Sequence, residues 1–228
     1  MTGSDPIRAV AALGEPLRRR IYDHVVAQPD GSSRDSVAAG LGLPRSVAAF
    51  HLDKLATLDL LDVEYRRPPG RSGPGAGRPA KWYRRSLAEV AVSLPPRRYD
   101  LAAELLAAAI EKSKAGTVPV ARALQEAARR HGRAIGAMAR TPGSSTGQVA
   151  NRLLELLAER GYEPRREGEA VFLANCPFAA LADKHRSVVC GMNLDLLRGA
   201  VEAASLPPRA VRLDPAPGRC CVTFVASP

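Results

Sequence analysis

The sequence predicts an α+β chain built from an N-terminal winged helix-turn-helix, a helical dimerisation connector and a small α+β C-terminal domain. Three observations carry this. Helix-periodic segments near the start are followed by two strand-like segments around an arginine-, glycine- and proline-rich tip. Two further helical stretches have faces rich in small residues. The last part mixes short helices and strands and holds every cysteine of the chain. The expected domains are 1–93, 94–143 and 144–228.

In the first part, Val10, Leu13, Leu17, Ile21 and Val25 follow one another at steps of three and four, which predicts a buried helical stripe over Ile7 to Ala27, divided in two near Gly14 and Pro16. Pro29-Asp30-Gly31 reads as a turn, and Ser32 or Ser33 as the cap of a second helix through Val37, Ala38 and Leu41. Gly40-Leu41-Gly42-Leu43-Pro44 is a tight turn with Pro44 placed to start the next helix. That third helix, Arg45 to about Leu58, is expected to bury Ala48, Leu52 and Leu55 and to turn Arg45, Ser46, Ala49, Phe50 and Asp53 outward.

Leu61 to Tyr65 and Ala80 to Arg84 alternate and carry strand-favouring residues, so they form a hairpin. The tip between them, Arg66 to Pro79, is too rich in Gly and Pro to pack. Segment 63–86 holds Arg66, Arg67, Arg71, Arg78, Lys81, Arg84 and Arg85 against the single Glu64. A cationic wing of this kind suits the phosphate backbone or the minor groove of a DNA duplex. On the preceding helix, Arg45 is the candidate for a guanine edge, Ser46 for a base or phosphate, Phe50 for a thymine methyl beside Ala49, and His51 and Lys54 for phosphate. Arg71, Arg78 and Lys81 are the wing candidates.

Leu94-Pro95-Pro96 ends this part. The stretches Tyr99 to Lys114 and Val118 to Ala139 then place Leu101, Leu105, Ala108 and Ala109, and Ala121, Leu124, Ala128 and Ile135, on single faces. Small residues let helices approach closely. A homodimer is the expected use, because two-fold proteins read pseudo-palindromic sites; packing within one chain accounts for the same pattern.

Beyond the loop Thr141 to Ser145, a helix is expected over Val149 to Arg160. Strands follow at Tyr162 to Arg166 and Ala170 to Ala174, then a helical run from Ala179 to Ala204 broken near Cys190-Gly191, then strands at Ala210 to Leu213 and Cys220 to Ala226. The candidate ligating residues are Cys176, Cys190, Cys220, Cys221 and His185. Their spacing contains no CxxC pair, so a shared site requires that folding bring them together. Cys220 and Cys221 point to opposite faces of a strand unless it begins with a bend.

Composition bounds the function. The 228 residues include 33 Lys plus Arg against 23 Asp plus Glu, a formal charge of +10, which favours a polyanionic partner; five of the 33 are Lys, so the excess is guanidinium. A hydrophobic share of 46% with 25% charged residues argues against a disordered chain. The start has no export-type apolar region and no later stretch approaches the ~18 apolar residues of a membrane span. A cytoplasmic protein without a membrane partner is expected, and in that setting four cysteines crowded between residues 176 and 221 point to metal or redox chemistry. An enzyme is not expected. Cys190 and His185 are five apart, a poor spacing for one helix face, and no Ser/His/Asp set or phosphate-cradling loop accompanies them.

The run ALGEPLRRRIYDHV, followed by SVAAFHLDKLATLDLLDVEYRR and GPGAGRPAKWYRRS, resembles the ArsR-like winged-helix transcriptional regulators over roughly residues 7 to 86. The runs NCPF, HRSVVCGMNLDLLRGAVEAA and PGRCCVTF resemble the iron-sulfur-sensing repressors of cluster-assembly operons, the SufR type. That resemblance implies a sequence-specific DNA-binding regulator, a repressor bound to a double-stranded operator, whose C-terminal domain is a redox sensor. The family's three ligand cysteines fall on Cys176, Cys190 and either Cys220 or Cys221, with His185 or the other cysteine open for a fourth position. The implied cofactor is an iron-sulfur cluster of the 4Fe-4S type. Zinc in a Cys₃His set, or a cofactor-free thiol-disulfide switch, fits the same residues.

Overall fold

The computed structural model describes residues 5–66, 79–116, 118–207 and 211–225. It divides into two compact units, Met1–Val92 and Ser93–Pro228.

In the first unit, α1 (Pro6–Ala12) and α2 (Pro16–Val26) each begin at a proline, where a missing N–H costs nothing. The Glu15 carboxylate caps α2 by accepting from the Leu17 and Arg18 amides at 2.9 and 2.7 Å. Ser33 caps α3 (Arg34–Leu41) by accepting from Ser36 N, and Gly42 closes that helix with φ 64°, a left-handed conformation suited to glycine. Pro44 is the N-cap of α4 (Arg45–Thr57), one position before the place expected for it.

Strands β2 (Leu61–Arg66) and β3 (Ala80–Arg85) pair antiparallel, Leu61 opposite Arg85 and Arg66 opposite Ala80. A two-residue strand unexpected from the sequence, β1 (Ser32–Ser33), adds to the other edge of β3, giving the order β1-β3-β2. The core gathers Ile21, Val25, Val37, Leu52, Leu55 and Tyr83. Each large apolar side chain sealed there contributes on the order of 1.5–3 kcal/mol. One expectation is corrected: Val10 is 48% exposed, and Ala9 and Ala12 face inward instead. The break at Gly14 re-phases α1 relative to α2, so the two do not share one continuous stripe.

The second unit holds α5 (Tyr99–Ala115), α6 (Val120–Ala137), α7 (Thr146–Ala158), α8 (Ala179–Lys184) and α9 (Arg186–Ala203). Its antiparallel sheet of β4 (Pro164–Glu167), β5 (Ala170–Leu173), β6 (Val211–Leu213) and β7 (Val222–Phe224) has the order β4-β5-β7-β6. Ser145 and Gln148 form a reciprocal capping box at the start of α7.

The stretches expected as a connector, 94–143, and as a separate domain, 144–228, share one core: Leu105 and Ile135 belong with Leu156, Leu173, Leu197 and Val222. The small residues of α6 account for this. A Cβ on Gly132 would fall 1.8 Å from the Leu196 carbonyl oxygen, and one on Gly136 would fall 1.9 Å from that of Ala200. The backbones of α6 and α9 therefore touch, and the face offered by Leu124, Ala128 and Ile135 is buried within the chain. Ala121, expected on that face, is exposed. The helical run after Ala179 breaks at His185 (φ −132°, ψ 48°), not at Cys190-Gly191, which lie inside α9.

Candidate functional site

Two sites emerge, one in each unit. On α4, Arg45, Ser46, Phe50 and Lys54 are exposed and Ala49 partly so, while Ala48, Leu52 and Leu55 are buried. Arg45, Ser46, Ala49 and Phe50 face outward as expected from the sequence, and Asp53 does not. Phe50 is 65% exposed, an apolar ring offered to solvent at the middle of a polar helix face. Arg45 Nε is hydrogen-bonded to Asp35 Oδ1 of α3, which holds the guanidinium across the turn between the two helices.

Two residues are engaged elsewhere: His51, expected to contact phosphate, and Asp53, expected to face outward. The His51 side chain is 12% exposed and its Nδ1 lies 3.5 Å from Glu15 Oε2, so it packs toward the start of α2 and is not presented for phosphate contact. Asp53 turns toward the wing strands, where its carboxylate accepts from Arg34, from Lys81 Nζ at 2.9 Å and from Tyr83 Oη at 2.7 Å. Burial raises the Asp53 carboxyl, but these three donors outweigh it and hold it at about 2. Tyr83 is pushed up to about 12 by burial and by the neighbouring carboxylate. Lys81 is thereby committed to an ion pair that docks β3 against α4.

On the wing base, Arg66 stacks 5.0 Å over the Trp82 ring and pairs with Glu64 at 2.9 Å, and Arg84 pairs with Glu64 at 3.0 Å. Ser33, Asp35, Arg45, Tyr65 and Lys81 line a groove of about 400 Å³ between the start of α4 and the base of the wing. Arg34, Asp35 and Tyr65 were not singled out by the sequence reading. Arg71 and Arg78 lie outside the described residues.

In the second unit, Cys176, Cys190, Cys220 and Cys221 line one cavity of about 510 Å³. Cys176 follows β5, Cys190 sits in α9, and Cys220 and Cys221 precede β7, which begins only at Val222. A bend at Cys221 lets the adjacent pair serve the same cavity, against the strand alternation expected for them. Backbone bonds fix the pair: Cys220 N donates to Leu173 O and Asp214 N to Cys221 O, both at 2.8 Å.

The thiols contact one another in sequence, Cys176 with Cys220, Cys220 with Cys221, and Cys221 with Cys190. The bond to Cys220, with burial, raises the Cys176 thiol far above its usual range. Cys220 is drawn down by Cys176 but carried up to about 12 by Cys221 and burial, and burial raises Cys190. Among the described residues, no three His, Cys, Asp or Glu side chains are grouped so as to hold a single metal ion.

His185 is exposed and does not line the cavity; Asp183 and Arg186 on either side of it do. Arg219 also lines it, anchored to Asp214 at 2.9 Å and stacked 5.7 Å over Phe172. Arg97 donates to the Cys176 carbonyl oxygen at 3.1 Å. These cations went unremarked in the sequence, although Arg186 and Cys190 stand four apart on one helix and Arg219 adjoins Cys220.

Residues 13–64 match the family model of a helix-turn-helix domain. No curated protein and no solved structure matches the chain. No helix among the described residues is long and apolar enough to cross a membrane. The first unit is a winged helix-turn-helix and the chain is a DNA-binding transcriptional regulator.

Proposed function

We propose that this regulator is a repressor whose operator affinity is controlled by an iron-sulfur cluster held in the second unit by Cys176, Cys190 and one of Cys220 and Cys221. The observation that carries the reading is the convergence of all four cysteines, from three separate segments, on one cavity. The donor chemistry fits, since soft thiolates suit iron-sulfur clusters. A 4Fe-4S cluster with three cysteine ligands would supply an iron open to oxidants.

The chain's own residues have defined parts. Arg186 and Arg219 place positive charge beside thiolates that would otherwise repel one another. The raised Cys176, Cys190 and Cys220 thiols must give up protons to ligate, so loading is pH-dependent. On DNA, Arg45 reads a base edge, Lys54 and the wing arginines bind phosphate, and two copies of the chain occupy the two halves of the operator. Occupancy of the cavity controls affinity by favouring one geometry of that dimer.

Anaerobic reconstitution followed by iron and sulfide analysis tests the cofactor. Binding to an operator selected from a random duplex library, before and after bleaching in air, tests the coupling. Iron and sulfide in stoichiometric amounts, with affinity changed on bleaching, is the expected result. A colourless protein carrying one zinc per chain refutes the cluster. A second reading, a cofactor-free thiol-disulfide switch, is favoured by the contact between Cys176 and Cys220. It requires that dithiothreitol alone, without iron, restores operator binding to peroxide-treated protein.

A further inference from the structure

We propose that Asn193, held in place by Tyr162, is the positioning residue for the Cys220 sulfur, and that this makes Cys220, not Cys221, the third cluster ligand. The inference rests on the cluster reading above.

Asn193 is fully buried in α9, and a buried side-chain amide is retained only where its hydrogen-bonding groups are satisfied. Its Nδ2 donates to Cys220 Sγ at 3.2 Å, and its Oδ1 accepts from Tyr162 Oη at 2.5 Å. Tyr162 is itself 3% exposed and Cys220 1%. The relay thus runs one way, from phenol to amide to sulfur.

In that polarity the Cys220 sulfur is the acceptor, the role a ligating sulfur takes. A metal-bound cysteine sulfur only accepts, so the amide must turn its N–H toward it, and the phenol must then donate to the amide oxygen. Asn193 also stands three residues from Cys190 on α9, so one helix face supplies both a thiol and the donor that orients the opposite sulfur. Among the described residues, Cys220 is the cysteine whose sulfur receives a side-chain amide hydrogen. Among the described residues no side-chain amide donates to the Cys221 sulfur, whose thiol neighbours are Cys190 and Cys220. Donors to a ligating sulfur withdraw electron density from it, which raises the potential of the iron they serve and fixes the ligand's rotamer.

The test uses the full-length chain reconstituted anaerobically with iron and sulfide. Asn193→Leu keeps the volume and removes the donor; Tyr162→Phe keeps the packing and frees the amide to rotate. Both are expected to bind iron at the wild-type stoichiometry. The midpoint potential moves negative and the iron-sulfur stretching bands move to higher frequency, more for Asn193→Leu than for Tyr162→Phe. Cys220→Ser is expected to lose iron and Cys221→Ser to keep it.

A merely structural Asn193 would change thermal stability and leave potential and stretching bands where they are, which overturns the proposal. Iron loss in Cys221→Ser with retention in Cys220→Ser overturns it equally. If Asn193→Leu does not fold, the Tyr162→Phe potential decides. A wild type that takes up neither iron nor sulfide refutes the cluster reading and the inference with it, whereas normal loading with an unmoved potential refutes the inference alone.

Discussion

Tyr83, fully buried in the central wing strand, donates its hydroxyl hydrogen to the Asp53 carboxylate of the recognition helix at 2.7 Å. This bond, with those from Arg34 and Lys81 to the same carboxylate, fixes the wing relative to the helix that presents Arg45 and Phe50. Tyr83→Phe removes one donor and leaves the ring packed. The expected cost is about 1.5 kcal/mol, the low end for a hydrogen bond to a charged group because Asp53 is partly open to water. Urea unfolding followed through Trp82 on the adjacent wing position reports it. An unchanged midpoint would mean that the bond contributes nothing net.

The same carboxylate sets an acid limit. Its folded value of about 2 lies below the unfolded value of 3.8, so between them the unfolded chain binds more protons and stability rises with pH. Its contribution is complete above about pH 4 and disappears as the pH falls through about 2. Asp53→Asn is expected to be less stable at neutral pH and to show a flatter decline in that window. Equal slopes for the two proteins would assign the acid sensitivity to other carboxylates.

Arg45 and Asp35 make a prediction with opposite signs on two DNAs. Asp35 places a negative charge beside Arg45 on the face proposed to meet DNA, where it would weaken all binding; its bond to Nε would leave the terminal guanidinium nitrogens for a guanine edge. Arg45→Ala is expected to lose ~1–3 kcal/mol of discrimination between operator and random duplex. Asp35→Ala is expected to bind random duplex more tightly yet discriminate less. Uniform tightening on both DNAs would show that Asp35 does not orient Arg45. Lys54→Ala, by contrast, is expected to weaken both alike and to reduce the salt slope by about 0.9.

Much of this was legible in the sequence because it is local. Helix periodicity, the Gly42 turn, the alternating strands and the outward face of α4 each follow from a few neighbouring residues, and apart from Val10, Ala121 and Asp53 they appear where expected. What was not legible depends on distant partners. Asp53 reads as outward by helical phase, but Arg34 and Tyr83 draw it to the wing base. His51 is captured by Glu15 from another helix. Cys190-Gly191 looks like a break, yet a lone glycine is tolerated inside a packed helix, and the chain turns at His185 instead. The cysteine cavity itself was foreseeable only as a demand that four distant thiols meet, and nothing local marked Asn193, whose sulfur partner is 27 residues away.

The close approach of α6 to α9 at Gly132 gives the last prediction. Because a Cβ at Gly132 would sit 1.8 Å from the Leu196 carbonyl oxygen, with backbone on both sides and no flexible side-chain end to yield, Gly132→Ala must push α6 away from α9. Overpacking of this kind costs ~1–3 kcal/mol where side chains can shift, and more where backbone must move. α9 carries Cys190 and Asn193, so its displacement should loosen the cavity as well as lower the melting temperature. The first unit has its own core, so binding to random duplex, a property of that unit, should persist. The expected outcome is a variant that melts earlier while still binding random DNA and that, under the cluster reading proposed above, loses iron several-fold faster once reconstituted. Gly147→Ala, where an added Cβ meets nothing within 4 Å, is the matched control and should behave as wild type. If Gly132→Ala melts with the wild type, the helices are free to separate, and the close contact does not constrain the cavity.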